Sequence, residues 1–161
     1  MTTLLRTDAS ARGSASVSRE LSSAYVKKWQ QNHPNGTVIV RDVARAPVEH
    51  IREETVTGFY TPQENFTSEL RAVTSLSDSL IAELNAADTL LISTPIYTWS
   101  VPSSLKAWID QVTRVGVTFG CDPERGLFGM VEKRGGGAGG YGLTLPQLAA
   151  GSVRFPTPLP V

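Results

Sequence analysis

Cysteine is almost missing from this chain: Cys121 is the only one in 161 residues, so no internal disulfide can form. Nothing near it in sequence argues for an activated thiol, and it is read as inert. Histidine is nearly as scarce. His33 falls in a turn and His50 in a connection, both are read as structural or solvated, and no metal site is expected. An excess of charge of either sign is missing too. Lysine plus arginine and aspartate plus glutamate number 15 each, which leaves no net field to draw in nucleic acid or an anionic membrane surface. No apolar run approaches the roughly 20 residues that cross a bilayer. The opening Met1-Thr2-Thr3-Leu4-Leu5 lacks the basic start and long apolar core of a secretory signal. The expectation is a soluble, cytoplasmic protein of one domain, since a chain of this length buries a core without staples. Residues 8–18, after the first strand candidate, carry neither of two nucleotide-binding signatures, GxGxxG and GxxxxGK(S/T), which argues against a dinucleotide fold or a P-loop NTPase.

What is present alternates between strand and helix. Thr3-Leu4-Leu5-Arg6-Thr7 reads as a short strand, and the stretch from Asp8 to Ser18 is too rich in small polar residues to be core. Leu21, Ala24, Tyr25, Val26 and Trp29 then recur near helical period, with Ser16 or Ser18 available as N-cap. His33-Pro34-Asn35-Gly36 ends that helix, and Thr37-Val38-Ile39-Val40 is β-branched enough for a second strand. Residues 43–66 carry Pro47, Gly58 and Pro62 among mixed charges and read as a long connection with a single helical turn. Leu70, Val73, Leu76, Leu80, Ile81 and Leu84 form the amphipathic stripe of a helix over 67–85. The near-continuous apolar run around Leu90-Leu91-Ile92 reads as a buried parallel strand. A further helix, with Pro102 near its first turn, turns Leu105, Trp108, Ile109 and Val112 inward. This alternation predicts an α/β, doubly wound parallel sheet. Ligands of such sheets bind outside the carboxyl ends of the strands, which directs attention to loops 8–18 and 95–101.

In the first loop Ser10, Ser14, Ser16 and Ser18 lie with the flexible Gly13 just before a helix start, where free backbone N–H groups and the helix dipole favour a phosphate. A serine-rich loop also serves simply to cap a helix in solvent. In the second loop Thr94-Pro95-Ile96-Tyr97-Thr98-Trp99-Ser100 sets two aromatics and a rigid proline directly after a buried strand. A planar redox cofactor needs apolar faces with polar groups at its ring edge, and these residue types suit a flavin, though packing at a core or an interface would also use them.

Ser10 with Ser16-Val17-Ser18, then Thr94-Pro95-Ile96-Tyr97, then Val101-Pro102-Ser103-Ser104-Leu105-Lys106-Ala107-Trp108-Ile109-Asp110 and Arg114-Val115-Gly116-Val117-Thr118-Phe119, together resemble the FMN-dependent NADH-azoreductase family over about residues 3 to 132. The resemblance implies a flavodoxin-like fold with strand order 2-1-3 in its first half. It implies FMN as cofactor, NADH or NADPH as donor, and two-electron, ping-pong reduction of quinones or azo compounds by a homodimer with FMN sites at its interface. Carried over position by position, Ser10, Ser16, Val17 and Ser18 would hold the FMN phosphate, and Pro95, Ile96, Tyr97, Thr98 and Trp99 would line the ring. Phe119 would form part of the substrate wall. The family usually has methionine, tyrosine, asparagine and phenylalanine after that proline, so only the tyrosine is retained here. Such chemistry requires no acid, base or nucleophile from the protein, and no catalytic side chain is named.

Beyond Lys133 the pattern changes. The family would continue with an apolar strand, whereas Arg134-Gly135-Gly136-Gly137-Ala138-Gly139-Gly140-Tyr141-Gly142 and a stretch with four prolines follow here. Glycine at this density has high backbone entropy and little to bury. Residues 1–132 are therefore read as an incomplete FMN-binding domain and 133–161 as an irregular tail. Glycine, alanine and tyrosine codons displaced by one base can encode valine, alanine, leucine and threonine, the strand that the fold needs. A frameshift near Arg134 is the resulting hypothesis, and the encoding DNA tests it: a displaced frame without further alternating helix and strand would refute it.

Overall fold

The computed structural model of the chain describes residues 2–124 and 126–131. β1 (Thr3–Asp8) runs between β2 (Thr37–Asp42) and β3 (Thr89–Ser93) in a parallel sheet, so the order among the described residues is β2-β1-β3, as the alternation implied. The register sets Leu5 beside Ile39 and Leu90, and Asp8 beside both Asp42 and Ser93. The three carboxyl ends are therefore level. The ladder runs on into the loops, where Ala9 N–H donates to the Ser93 carbonyl (2.9 Å) and Val43 N–H to that of Asp8 (3.0 Å).

Side chains alternate across a strand, so the sheet has two distinct faces. On one, Leu5 joins Val43, Leu80, Ile81, Leu84, Leu105, Trp108 and Val112 in the core built by α3 (Ser68–Ala86) and α4 (Ser103–Val112). Each such side chain fully buried contributes about 1.5–3 kcal/mol of transfer free energy, which makes this face the main source of stability. Thr67 caps α3 by accepting from Leu70 N–H (3.2 Å), and α4 starts directly after Pro102. Along α3 the buried apolar stripe is narrower than its spacing suggests: Leu80, Ile81 and Leu84 are buried, while Val73 and Leu76 remain partly open.

α1 (Val17–Asn32) begins at Ser16, whose hydroxyl accepts from Arg19 N–H (3.4 Å). Trp29 is its buried aromatic, and Leu21 points outward. His33 is the C-cap: its ring stacks on Trp29 at 4.5 Å, and Nδ1 lies 2.9 Å from the Trp29 carbonyl oxygen. Gly36 closes the turn because a Cβ there would come within 2.5 Å of the Trp29 ring.

Residues 43–66 are more ordered than the expected loose connection. They contain the two-turn helix α2 (Glu53–Tyr60) and a 3-10 turn over Gln63–Asn65. Gly58 weakens the helical signal in sequence, yet it lets α2 sit close to α3: a Cβ there would be 2.6 Å from Thr74 Cγ2. The buried Arg114 guanidinium lies 5.3 Å from the Phe59 ring centre and 5.8 Å from that of Phe66, and Nη1 donates to Asp78 (2.6 Å). β4 (Phe119–Asp122) and β5 (Gly126–Gly129) form a separate antiparallel ribbon that the strand reading did not foresee, since glycine ends both sides of β5 and little of it is buried. The proposed boundary after residue 132, the irregular tail over 133–161 and the frameshift near Arg134 lie outside the described residues.

Candidate functional site

The level strand ends bring the two loops together. Ala11 N–H donates to the Tyr97 hydroxyl at 3.3 Å, a contact across 86 positions of sequence that joins the serine loop to the aromatic loop at one edge of the sheet. Had the loops emerged at opposite edges, one ligand could not reach both.

The serine loop is built around the start of α1. Gly13 takes a φ of 57°, a left-handed conformation that glycine adopts without a Cβ penalty, and opens a single 3-10 turn over Gly13–Ala15. Ser16 is buried, and its hydroxyl lies 3.1 Å from that of the half-buried Ser18. Val17 and Ser18 occupy the first helical turn, where backbone N–H groups have no acceptor within the helix, so this end offers donors to an anion. Ser10 differs from its neighbours: only 1% of it is exposed, and its hydroxyl accepts from Arg12 N–H (3.3 Å). It anchors the loop from below.

The aromatic loop is a tight turn. Tyr97 N–H donates to the Ser100 carbonyl (2.9 Å), and Ser100 N–H donates to that of Tyr97 (3.0 Å). Between them Thr98 and Trp99 have φ of 48° and 63°. Two consecutive left-handed residues that are not glycine carry backbone strain, and β-branched Thr98 carries more of it than asparagine would. The turn holds Trp99 outward with 89% of its surface exposed and leaves Ile96 exposed beside it, while Tyr97 is half-turned toward the serine loop. Phe119 stands at the start of β4, at the end of a compact turn in which the Arg114 carbonyl accepts from Val117, Thr118 and Phe119 N–H groups. The geometry thus brings nine of the ten expected positions into two adjoining segments and leaves Phe119 on a third.

The sequence reading passed over Arg19 and Asp42. Arg19 Nε and Nη2 donate to the Ser10 carbonyl (3.1 and 2.7 Å), while Nη1 and Nη2 donate to the Asp42 carboxylate (2.6 and 2.8 Å). Asp42 also accepts from the Ala44 and Arg45 N–H groups. The hydrogen bond from Arg19 is the main reason that the Asp42 carboxyl lies below the usual carboxylate range, and the same bond raises the Arg19 guanidinium. Nearby, Asp8 accepts from Arg6 Nε (3.0 Å) and from the Ser22 hydroxyl (3.2 Å). The available signal was positional: an aspartate ending each of two neighbouring strands, and an arginine one turn into the following helix.

These features fit a phosphorylated planar ligand. Unsatisfied N–H donors at a helix start suit a phosphate, and the rigid turn with Tyr97 and exposed indole suits a flat ring. A separate cleft of about 770 Å³, lined in part by Arg41, Val48, His50, Leu76 and Gln111, shares no residue with either loop. Among the described residues no group of three or more histidine, cysteine, aspartate or glutamate side chains is arranged to hold a metal ion, and no helix is long and apolar enough to cross a membrane.

A three-stranded 2-1-3 parallel sheet with its loops gathered at the carboxyl edge defines a flavodoxin-like protein. A family model described as flavodoxin-like fold matches residues 2–137, and the chain belongs to that family. Within it, the chain is 45% identical over 133 residues to an FMN-dependent NADH:quinone oxidoreductase of Marinomonas sp. (strain MWYL1), a match covering 83% of this chain and 67% of that one. It is 49% identical over 122 residues to the protein of the same name from Xanthobacter autotrophicus (strain ATCC BAA-1158 / Py2), covering 76% and 59%. Among solved structures, an azoreductase from Bacillus anthracis str. Sterne superposes with a TM-score of 0.75 at 26% identity, covering 84% of this chain and 66% of that one. The matches thus span about two thirds or less of these relatives' lengths.

Proposed function

We propose that the chain binds FMN across the two loops and belongs to a cytoplasmic NAD(P)H-dependent quinone or azo reductase. The observation that carries this reading is the Ala11–Tyr97 contact, which brings an anion-binding helix start and an aromatic turn within reach of one ligand. The relatives' names point the same way, as FMN-dependent NADH:quinone oxidoreductases. FMN held there would supply the two-electron chemistry that links NADH or NADPH to a quinone or azo acceptor in ping-pong order. The protein's residues position it. Ser16, Val17 and Ser18 hold the phosphate on the loop that Ser10 anchors. Pro95, Ile96, Tyr97, Thr98 and Trp99 flank the ring, and Phe119 contributes to the wall on the acceptor side.

A homodimer follows from the same reading, because exposed Ile96 and Trp99 at the ring end form apolar surface that a second subunit would cover. Residues 1–132 form the binding unit in this view. Titrating FMN into the purified full chain tests the proposal: a yellow complex that oxidises NADH or NADPH and reduces a quinone is expected. A colourless chain that takes up no FMN overturns it. That outcome would favour a second reading, a flavodoxin-like product without cofactor or activity. A one-electron flavodoxin-type carrier is the least favoured reading, because the chain has no acidic excess.

A further inference from the structure

We propose that Arg19 is a positioning residue: by bracketing the serine loop at both ends, it gives the site its preference for a phosphorylated flavin over riboflavin. This rests on the flavin reading above and extends it to a side chain with no contact role there. An arginine three residues after an N-cap invites assignment as a phosphate ligand, but the geometry rules against it. A guanidinium has five N–H groups. Four hydrogen bonds run from Arg19 to the Ser10 carbonyl and the Asp42 carboxylate, and Nη1 also lies 3.5 Å from Asp8 Oδ2. Only 13% of the side chain is exposed. Its donors are committed to the protein.

Those commitments define the loop. The side chain of Arg19 holds the carbonyl of Ser10, where the loop begins, and its backbone N–H donates to the hydroxyl of Ser16, where the loop ends and α1 begins. One residue therefore fixes the span whose far end presents the Val17 and Ser18 N–H groups. Charge reinforces the point. Asp8 and Asp42 end neighbouring strands beneath this loop, and two carboxylates there would oppose a phosphate. Arg6 and Arg19 pair with them, at 2.9 Å for Arg6–Asp8 and 2.6 Å for Arg19–Asp42, and the exposed Arg45 approaches Asp42 at 3.7 Å, so neither carboxylate is left uncompensated. Recognition of the anion is left to the helix start. Lysine has three donors on one nitrogen and cannot reproduce the planar fork that makes four hydrogen bonds to the Ser10 carbonyl and the Asp42 carboxylate, so a charge-conserving change still opens the bracket.

The test uses the full chain and its Arg19→Lys and Arg19→Gln variants, titrated with FMN and separately with riboflavin while flavin fluorescence is followed. Affinity for FMN is expected to fall roughly tenfold in both variants, the scale of losing hydrogen bonds to a charged group, with riboflavin affinity nearly unchanged. Unchanged riboflavin binding also reports an intact fold. Variants that keep the wild-type ratio of FMN to riboflavin affinity overturn the inference. If the Arg19 variants do not fold, Asp42→Asn decides: selective loss of FMN binding supports the bracket, and equal loss of both flavins overturns it. If the wild-type chain binds neither flavin, the flavin reading fails and inorganic phosphate alone becomes the probe. Phosphate-induced shifts of the Val17 and Ser18 amide resonances that vanish in Arg19→Lys support the bracket, whereas equal shifts, or none in either protein, overturn it.

Discussion

Thr98 adopts a φ of 48° in a turn that the chain closes with two backbone hydrogen bonds, so its strain is imposed by the surrounding loop. Asparagine tolerates that conformation better, and Thr98→Asn is expected to stabilise the protein by about 0.5–1 kcal/mol, read as a shift in denaturant midpoint at unchanged slope. An unchanged or lowered midpoint would show that the turn is not strained at this residue. Asp42 makes a pH-dependent contribution. Its folded carboxyl is held below the ordinary value of 3.8 by Arg19, so the stability it adds is fully present above that value and is lost as pH falls through it toward the folded pKa. Asp42→Asn should therefore be less stable than wild type at neutral pH, with the gap closing below about pH 4 in acid-unfolding curves. A gap that persists at lower pH would mean that the carboxylate's charge is not what the clasp uses.

At the scale of elements, α2 depends on how closely it approaches α3 rather than on its own propensity. Gly58→Ala raises intrinsic helicity yet pushes a methyl group toward Thr74 Cγ2, and the crowding is expected to win, destabilising the protein by about 1–3 kcal/mol in chemical denaturation. Stabilisation instead would show that the two helices can separate at no cost. This balance also explains what was legible from sequence. Helices α1, α3 and α4 and strands β1, β2 and β3 announce themselves through periodicity, caps and β-branched runs, features local to each segment. Ser16 and Thr67 occupy cap positions that reading along the chain can find. α2 reads as a single turn because Gly58 and the flanking prolines look like loop, while the residues that hold it, Thr74 and Arg114, lie elsewhere in the chain. The site divides in the same way. The serines and the Tyr97 turn were visible as clusters of suitable chemistry, but the Arg19–Asp42 clasp joins two residues that become neighbours only when β2 lies beside β1.

For the molecule as a whole, ligand and fold are linked by mass action. If FMN binds the folded chain alone, FMN at 100 times its dissociation constant stabilises the fold by about 2.7 kcal/mol, and the melting temperature should climb with FMN concentration. Riboflavin, lacking the phosphate, should raise it less at equal concentration. Equal rises would place the binding energy in the ring end of the site and remove the helix start from the account. The sheet sets the context for such a measurement, since among the described residues β3 pairs on one side only and much of the stabilising core lies on the α3 and α4 face.

The outward-turned indole at position 99 has a practical consequence. The other two tryptophans, Trp29 and Trp108, are 6% and 0% exposed. A collisional quencher such as iodide will therefore extinguish emission from Trp99 first. The chain carries its own optical reporter at the ring end of the site, and shielding of that emission would register both an arriving ligand and a second copy closing over the turn.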